Sequence, residues 1–353
     1  MALPHVLIVA ARSGGHRLNY VRILAEESLA RGDRVSIAIE DSDSSLAHRD
    51  LYLAEVSKSA ALMEWSDFSP AGVARAADRV KADSVVDPDG DQLAKAIFKN
   101  RGWPAEQAIT LLIMRPEAQF APFPGARRAT TVVKLLMRRI LSRMQGVRVV
   151  ILVDALTKEP APNEVPDPID YRVTAESVVG FRESHGLDGD RFWFAVVGAI
   201  DARKNVDLVA RAISKLGSRA GLLVAGKVSA EGKASVTAAL KLLSQTESRM
   251  IVVDRLLSEL ELDSCVTVAD CVVLAHSNEG ASGIMGKAAV AGTPMITAGS
   301  HSLKRAAAQI PDNAIWVPLT EAGLSEAVAN VQSTTAARPV AADARLFAER
   351  LLS

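Results

Sequence analysis

Residues Cys271–Gly299 read CVVLAHSNEGASGIMGKAAVAGTPMITAG. The stretch leaves an apolar run, Cys271 to His276, passes Glu279, and enters a helix through Gly280, Ala281, Ser282 and Gly283. A second apolar run, ending at Gly299, follows Pro294. Strands that are apolar almost throughout, joined through a helix, are the pattern of a parallel sheet covered on both faces. Small residues at the helix start would expose several backbone N–H groups, a cradle for an anion.

The same beat continues outward in both directions. The second half offers FAVVGAI (194–200), GLLVAG (221–226), MIVVD (250–254) and AIWVP (314–318) as further strands. Val206, Val209, Ala210, Ile213 and Leu216 mark one helix face between the first two. The first half offers VLIVAA (6–11), RVSIAIE (34–40), ALMEW (61–65), DSVVD (83–87), ITLLIM (109–114) and VRVVILV (147–153), with helical patterns over 18–31 and 91–101. Between the halves, Lys158–Asp170 carries Pro160, Pro162, Pro166 and Pro168, which excludes a helix interior or a central strand. The fold class is therefore α/β, with two doubly wound, Rossmann-like units. The expected division is 1–160, 161–335 and a terminal helix within 336–353 that packs back on the first unit. Such units place ligands at the carboxyl ends of their strands, and a cleft between facing units would be the default site.

Composition limits the function. The 353 residues suit two domains of roughly 150, and 49% are apolar, enough for packed cores. Lys+Arg and Asp+Glu are both 41 and aromatics only 4%, so neither a basic footprint nor a stacking platform for nucleic acid is present. Cys265 and Cys271 make neither a disulfide framework nor a zinc site, and no metal or cofactor is expected. The first apolar run has no basic segment before it and reads as a strand rather than a signal peptide. No run approaches the ~18 residues of a membrane span. The expected location is cytoplasmic.

Four loops carry candidate chemistry. ARSGGHRLNY (11–20) puts Gly14 and Gly15 before a helix that starts near His16 and Arg17; it lacks the third glycine of a dinucleotide fingerprint. VVDPDGD (85–91) places Asp87, Asp89 and Asp91 after a strand, with Asp91 expected as a helix cap. GAIDARKN (198–205) puts Arg203 and Lys204 beside the next helix start, which suits a diphosphate, although a solvated pair is the plainer reading. Glu279 could accept hydrogen bonds from sugar hydroxyls or simply complement a helix dipole.

The pieces GAIDARKNVDLVARA, LLVAG, MIVVDRLLSEL, VADCVVLAHSNEG and AAVAGTPMITAG occur in that order, after VPDPID. Over Val165–Gly299 this resembles the donor-binding domain of the retaining GT-B glycosyltransferases, the group 1 or family 4-like enzymes. The resemblance implies a GT-B fold, two Rossmann-like domains facing across a cleft. It implies transfer of a sugar, with retention, from a nucleotide-sugar to a glycan, lipid-linked or small-molecule acceptor. Arg203 and Lys204 would hold the donor diphosphate and Glu279 the transferred sugar. Ser282 and Gly283 would offer backbone contacts, Arg255 and Leu256 would border the base, and Gly14, Gly15 and His16 would approach from the other domain, His16 positioning the acceptor. Two positions depart from the pattern. Lys287 stands where the family usually carries a second carboxylate for the ribose, and Ala199 where many members carry Arg. Lys287 is expected to meet either Glu279 or a bound phosphate. The departures keep open a non-catalytic nucleotide-binding subunit; a nucleotide-sugar epimerase of the same fold is the other alternative.

One segment points to a surface. Residues 126–148 read ARRATTVVKLLMRRILSRMQGVR and contain no acidic residue. Val132, Leu136, Ile140 and Met144 form one row at i, i+4 spacing, and Lys134 with Arg138 and Arg139 with Arg143 form two basic rows. A helix packed on the core with a solvated basic face accounts for this pattern, and so does a helix lying on anionic lipid.

Overall fold

Every strand of the chain's two sheets is parallel to its neighbours. The computed structural model describes residues 3–12, 17–40, 46–114, 124–157, 159–279, 282–331, 339–340 and 344–353. Unit 1 comprises Met1–Pro168 and Asp343–Ser353, and unit 2 comprises Ile169–Ala342.

Unit 1 begins β1 (His5–Ala10), α1 (Arg17–Ala30), β2 (Arg34–Glu40), α2 (Leu46–Leu53), β3 (Ala61–Trp65) and α3 (Pro70–Val80). It continues β4 (Ser84–Asp87), α4 (Asp91–Lys99), β5 (Ala108–Ile113), α5 (Pro124–Leu141), β6 (Val147–Val153) and β7 (Glu164–Pro166). The strand order is β3-β2-β1-β4-β5-β6-β7. Unit 2 begins α6 (Ala175–Ser184), β8 (Phe192–Val197), α7 (Val206–Ile213), β9 (Ala220–Ala225), α8 (Lys233–Leu243) and β10 (Arg249–Val253). It continues α9 (Glu259–Val268), β11 (Cys271–His276), α10 (Gly283–Ala291), β12 (Met295–Gly299), α11 (His301–Gln309), β13 (Ala314–Val317) and α12 (Glu321–Val331), in the order β10-β9-β8-β11-β12-β13. A final helix, α13 (Ala344–Leu352), returns to unit 1. Each sheet reverses direction once, between β1 and β4 and between β8 and β11, and there the carboxyl ends of the strands open a crevice.

Continuous burial explains the strand sequences. All six residues of β1 and of β9 are buried, as both-face coverage requires. The proline-rich segment corrects the expected boundary at 160. Val165 is fully buried and β7 pairs with β6, so the first sheet ends only at Pro166 and the units divide after Pro168. β7 is the edge strand, where proline's missing N–H costs no ladder bond. In α13, Phe347, Ala348 and Leu351 are buried against the unit 1 core, with the Phe347 ring 5.0 Å from that of Tyr20. Arg350 donates to the carbonyls of Ala161, Pro162 and Glu164, fastening α13 to the same edge.

The α5 helix reverses the ordinary pattern. Met137 and Leu141 face the core, and so does Met144 of the expected apolar row, just beyond the helix, whereas Val132, Leu136 and Ile140 of that row are 54%, 51% and 45% exposed. Among the described residues no helix is long and apolar enough to cross a membrane.

Candidate functional site

The switch point of unit 2 is built from the loops after β8, β11 and β12. After β8, a single tight turn over Ala202–Lys204 is capped by Asp201, whose carboxylate accepts the Arg203 N–H at 3.0 Å. The exposed Arg203 guanidinium folds back on the same carboxylate, with Nε at 2.9 Å and Nη2 at 2.5 Å. Lys204 turns inward instead, and its Nζ donates to the Val197 carbonyl at 3.2 Å. Burial brings its ammonium down to about 8; Asp201 opposes that shift, and the Arg203 charge adds to it. Asn205 ends the turn at φ 47°, a left-handed position that asparagine tolerates. Its side-chain amide donates to the carbonyls of Arg203 at 2.7 Å and Ala275 at 2.8 Å, and Ser277 N–H donates to Arg203 O at 3.1 Å. These bonds strap the cationic turn to the end of β11.

His276, the last residue of β11, sits within the field of both cations. Burial, then Lys204 and Arg203, push its imidazole down to about 3, so it is neutral near pH 7. Its Nε2 is buried with no hydrogen-bond partner among the described residues. A neutral ring can present a hydrogen bond here but no charge. The sequence reading passed over His276 as a site residue. Its one signal was a polar residue closing an otherwise apolar strand at a switch point. The start of α10 covers the same end: a Cβ placed on Gly198 would meet Ile284 at 3.4 Å. Gly226 lets β8 and β9 close together there, since a Cβ would meet Gly198 O at 2.0 Å and its φ is +133°. Ser282 caps α10 without a side-chain bond, and Gly283 faces open space. The start of α10 and the Lys204 ammonium thus meet the same end of β8, a suitable environment for a diphosphate.

Glu279 is engaged within the site. Its carboxylate accepts the amides of His301 at 3.0 Å and Ser302 at 2.9 Å and the Ser300 hydroxyl at 3.2 Å, at the start of α11. Burial raises its pKa, but these bonds outweigh burial and hold it below the usual range. It stays ionised and can only accept hydrogen bonds; it cannot act as an acid near neutrality. Arg255, expected at the base, donates to Glu261 at 2.6 Å, and Leu256 is half-buried beside it. Glu261 also completes the capping box with Ser258 that starts α9.

Lys287 meets carboxylates other than Glu279. Its Nζ lies 2.5 Å from Asp263 and 2.8 Å from Glu259, and donates to the Asp170 carbonyl at 2.8 Å. Burial works against the charge, but the two carboxylates keep its pKa raised. Asp263 also accepts the Arg172 amide at 2.8 Å. The lysine therefore joins α9, α10 and the segment that opens unit 2.

In unit 1, Gly14, Gly15 and His16 lie outside the described residues. Arg17 at the start of α1 donates to Asp89 at 2.5 Å. Asp91 is the first helical residue of α4 with Gly90 as the N-cap, so it complements the dipole instead of capping as expected. Asp87 is buried at the end of β4, and burial pushes its carboxyl up to about 7 against the bond from the Asp89 amide. Tyr20 donates to Asp167 at 2.6 Å, a buried carboxyl likewise raised, to about 6.

Residues 191–333, within unit 2, match the family "Glycosyl transferases group 1". The resemblance to the group 1 glycosyltransferases is thus sustained from residue 191 onward. No curated protein sequence matches the chain. Among solved structures, sucrose-phosphate synthase from Thermosynechococcus elongatus superposes with a TM-score of 0.66 at 15% identity, covering 99% of this chain and 94% of that one. Anabaena Alr3699/HepE in complex with UDP and glucose gives 0.61 at 11% identity, covering 98% and 95%. A Listeria monocytogenes structure described as a UDP-N-acetylglucosamine 2-epimerase gives 0.60 at 12%, covering 100% and 95%. At these identities the likeness is one of fold, the GT-B fold of two Rossmann-like units.

Proposed function

We propose that the chain is a glycosyltransferase that binds a nucleoside-diphosphate sugar at the switch point of unit 2. The observation that carries this reading is the strapping of Arg203 and Lys204 to the end of β11 beside the open start of α10, inside the segment matching the group 1 family. In this reading the diphosphate lies against the Lys204 ammonium and the Ser282–Gly283 amides, and Arg203 exchanges Asp201 for a phosphate oxygen. As the diphosphate departs, those groups stabilise the charge that grows on it. Glu279, fixed by the start of α11, accepts a hydroxyl of the transferred sugar, and His276 offers a neutral hydrogen bond. Retention of configuration and a glycan, lipid-linked or small-molecule acceptor complete the proposal. Because the HepE structure holds UDP, uridine diphosphate and its sugars are the first ligands to test. A thermal-shift panel of nucleoside diphosphates and their sugars should show stabilisation of about 2.7 kcal/mol at a hundredfold excess over Kd. Release of nucleoside diphosphate that depends on an acceptor supports transfer. Conversion of the sugar without any acceptor marks an epimerase, and binding without turnover a non-catalytic subunit.

A further inference from the structure

Five of the large apolar side chains exposed among the described residues lie on nine consecutive residues of α5: Val132, Val133, Leu135, Leu136 and Ile140, from 40% to 62% exposed. At 100° per residue these five fall within one arc of about 160°, bordered by the Met137 and Leu141 side that packs on the unit 1 core. Arg139 falls within the same arc, Arg143 follows in the turn after the helix, and both are exposed. Neither makes an ion pair or a side-chain hydrogen bond with any described residue. From Thr131 to Arg148 the chain contains no carboxylate side chain. A solvated helix face ordinarily has the opposite composition, with charge outward and aliphatics inward.

We infer that this face of α5 docks on the surface of an anionic lipid bilayer. Aliphatic side chains would enter the boundary between headgroups and acyl chains, while Arg139 and Arg143 extend their charged ends to lipid phosphates. Two features favour lipid over a protein partner. The face holds no Trp, Tyr or Phe, the residues that anchor protein interfaces. Its charge is of one sign and unpaired, which complements an anionic surface. The inference is independent of the sugar-transfer reading, because it concerns a helix of unit 1 and a ligand that is not a nucleotide.

The test is co-sedimentation of the full chain with phosphatidylglycerol-containing vesicles and with phosphatidylcholine vesicles, at low and high salt. Binding to the anionic vesicles that weakens with salt is expected. Arg139→Ala with Arg143→Ala should weaken it about 30-fold, at roughly one basic residue's contribution each. Leu136→Ser with Ile140→Ser, at exposed positions that leave the core intact, should weaken it comparably. Absence of binding at low salt, or equal binding to neutral vesicles, overturns the inference. So does a dimer in sedimentation velocity without lipid that Leu136→Ser dissociates, since the face would then join two copies of this chain.

Discussion

Lys287 is 8% exposed and Asp263 fully buried, so each charge depends on the other. Removing one partner of such a pair costs about 3–5 kcal/mol, because the remaining charge is stranded. Lys287→Ala should lower unfolding stability by about that amount in urea titration. The lysine was legible as an anomaly, since a cation early in a helix opposes the dipole. Its partners were not legible: they lie on a different helix, and only folding brings them together. Lys204 gives a second test. With its ammonium lowered to about 8, a diphosphate finds a cation below that pH and a neutral amine above it. Bound anion should raise the pKa again, so binding takes up protons near pH 8. Diphosphate affinity should therefore fall as pH rises through about 8, and calorimetry across that range should show the fall in the parent and not in Lys204→Met.

Elements differ in how far their sequence explains them. The strands were readable because parallel strands buried on both faces leave nearly unbroken apolar runs. β7 escaped notice: only Val165 of its three residues is buried, and prolines surround it. The apolar row of α5 was visible, but periodicity reports that a stripe exists and not which side the core occupies; the core took Met137 and Leu141 instead. The helix α13 was expected to pack on the first unit, and Phe347 is the residue that binds it there. Phe347→Ala should cost about 3–5 kcal/mol, from lost burial and the cavity left behind. Denaturant unfolding measures this directly, and a loss under 1 kcal/mol would mean that α13 is a dispensable tail. The α9 start gives a pH test. Glu261 is held down to about 2, first by Arg255, against partial burial and with help from Ser258. Its folded pKa lies below the usual 4.5, so its contribution is full above that value and fades as pH falls toward 2. The stability difference between the parent and Glu261→Gln should accordingly shrink over that window.

Across the whole molecule, two doubly wound units each reverse at one place; in unit 2 that place holds Arg203 and Lys204, and in unit 1 the Arg17–Asp89 ion pair. Topology made that location foreseeable, since the switch point follows from strand order. The side-chain arrangement was less so. Arg203 and Lys204 are adjacent in sequence but point to solvent and to the interior respectively, and His276 enters only because β8 and β11 are neighbours. Fold alone does not choose among transfer, epimerisation and binding, because the same architecture serves proteins described as a sucrose-phosphate synthase and as an epimerase. The proposed transfer requires a nucleoside diphosphate to sit against Lys204 in unit 2. Calorimetric titration of UDP and the other nucleoside diphosphates into the full chain and into Lys204→Met tests it most directly, because methionine keeps the side chain's bulk and removes only its charge. Saturable binding of at least one nucleoside diphosphate by the parent is expected, with a loss of about tenfold or more in the variant, as one charge-assisted bond is worth about 1.5–3 kcal/mol. Absence of binding for every base, or equal affinity in parent and variant, would contradict it.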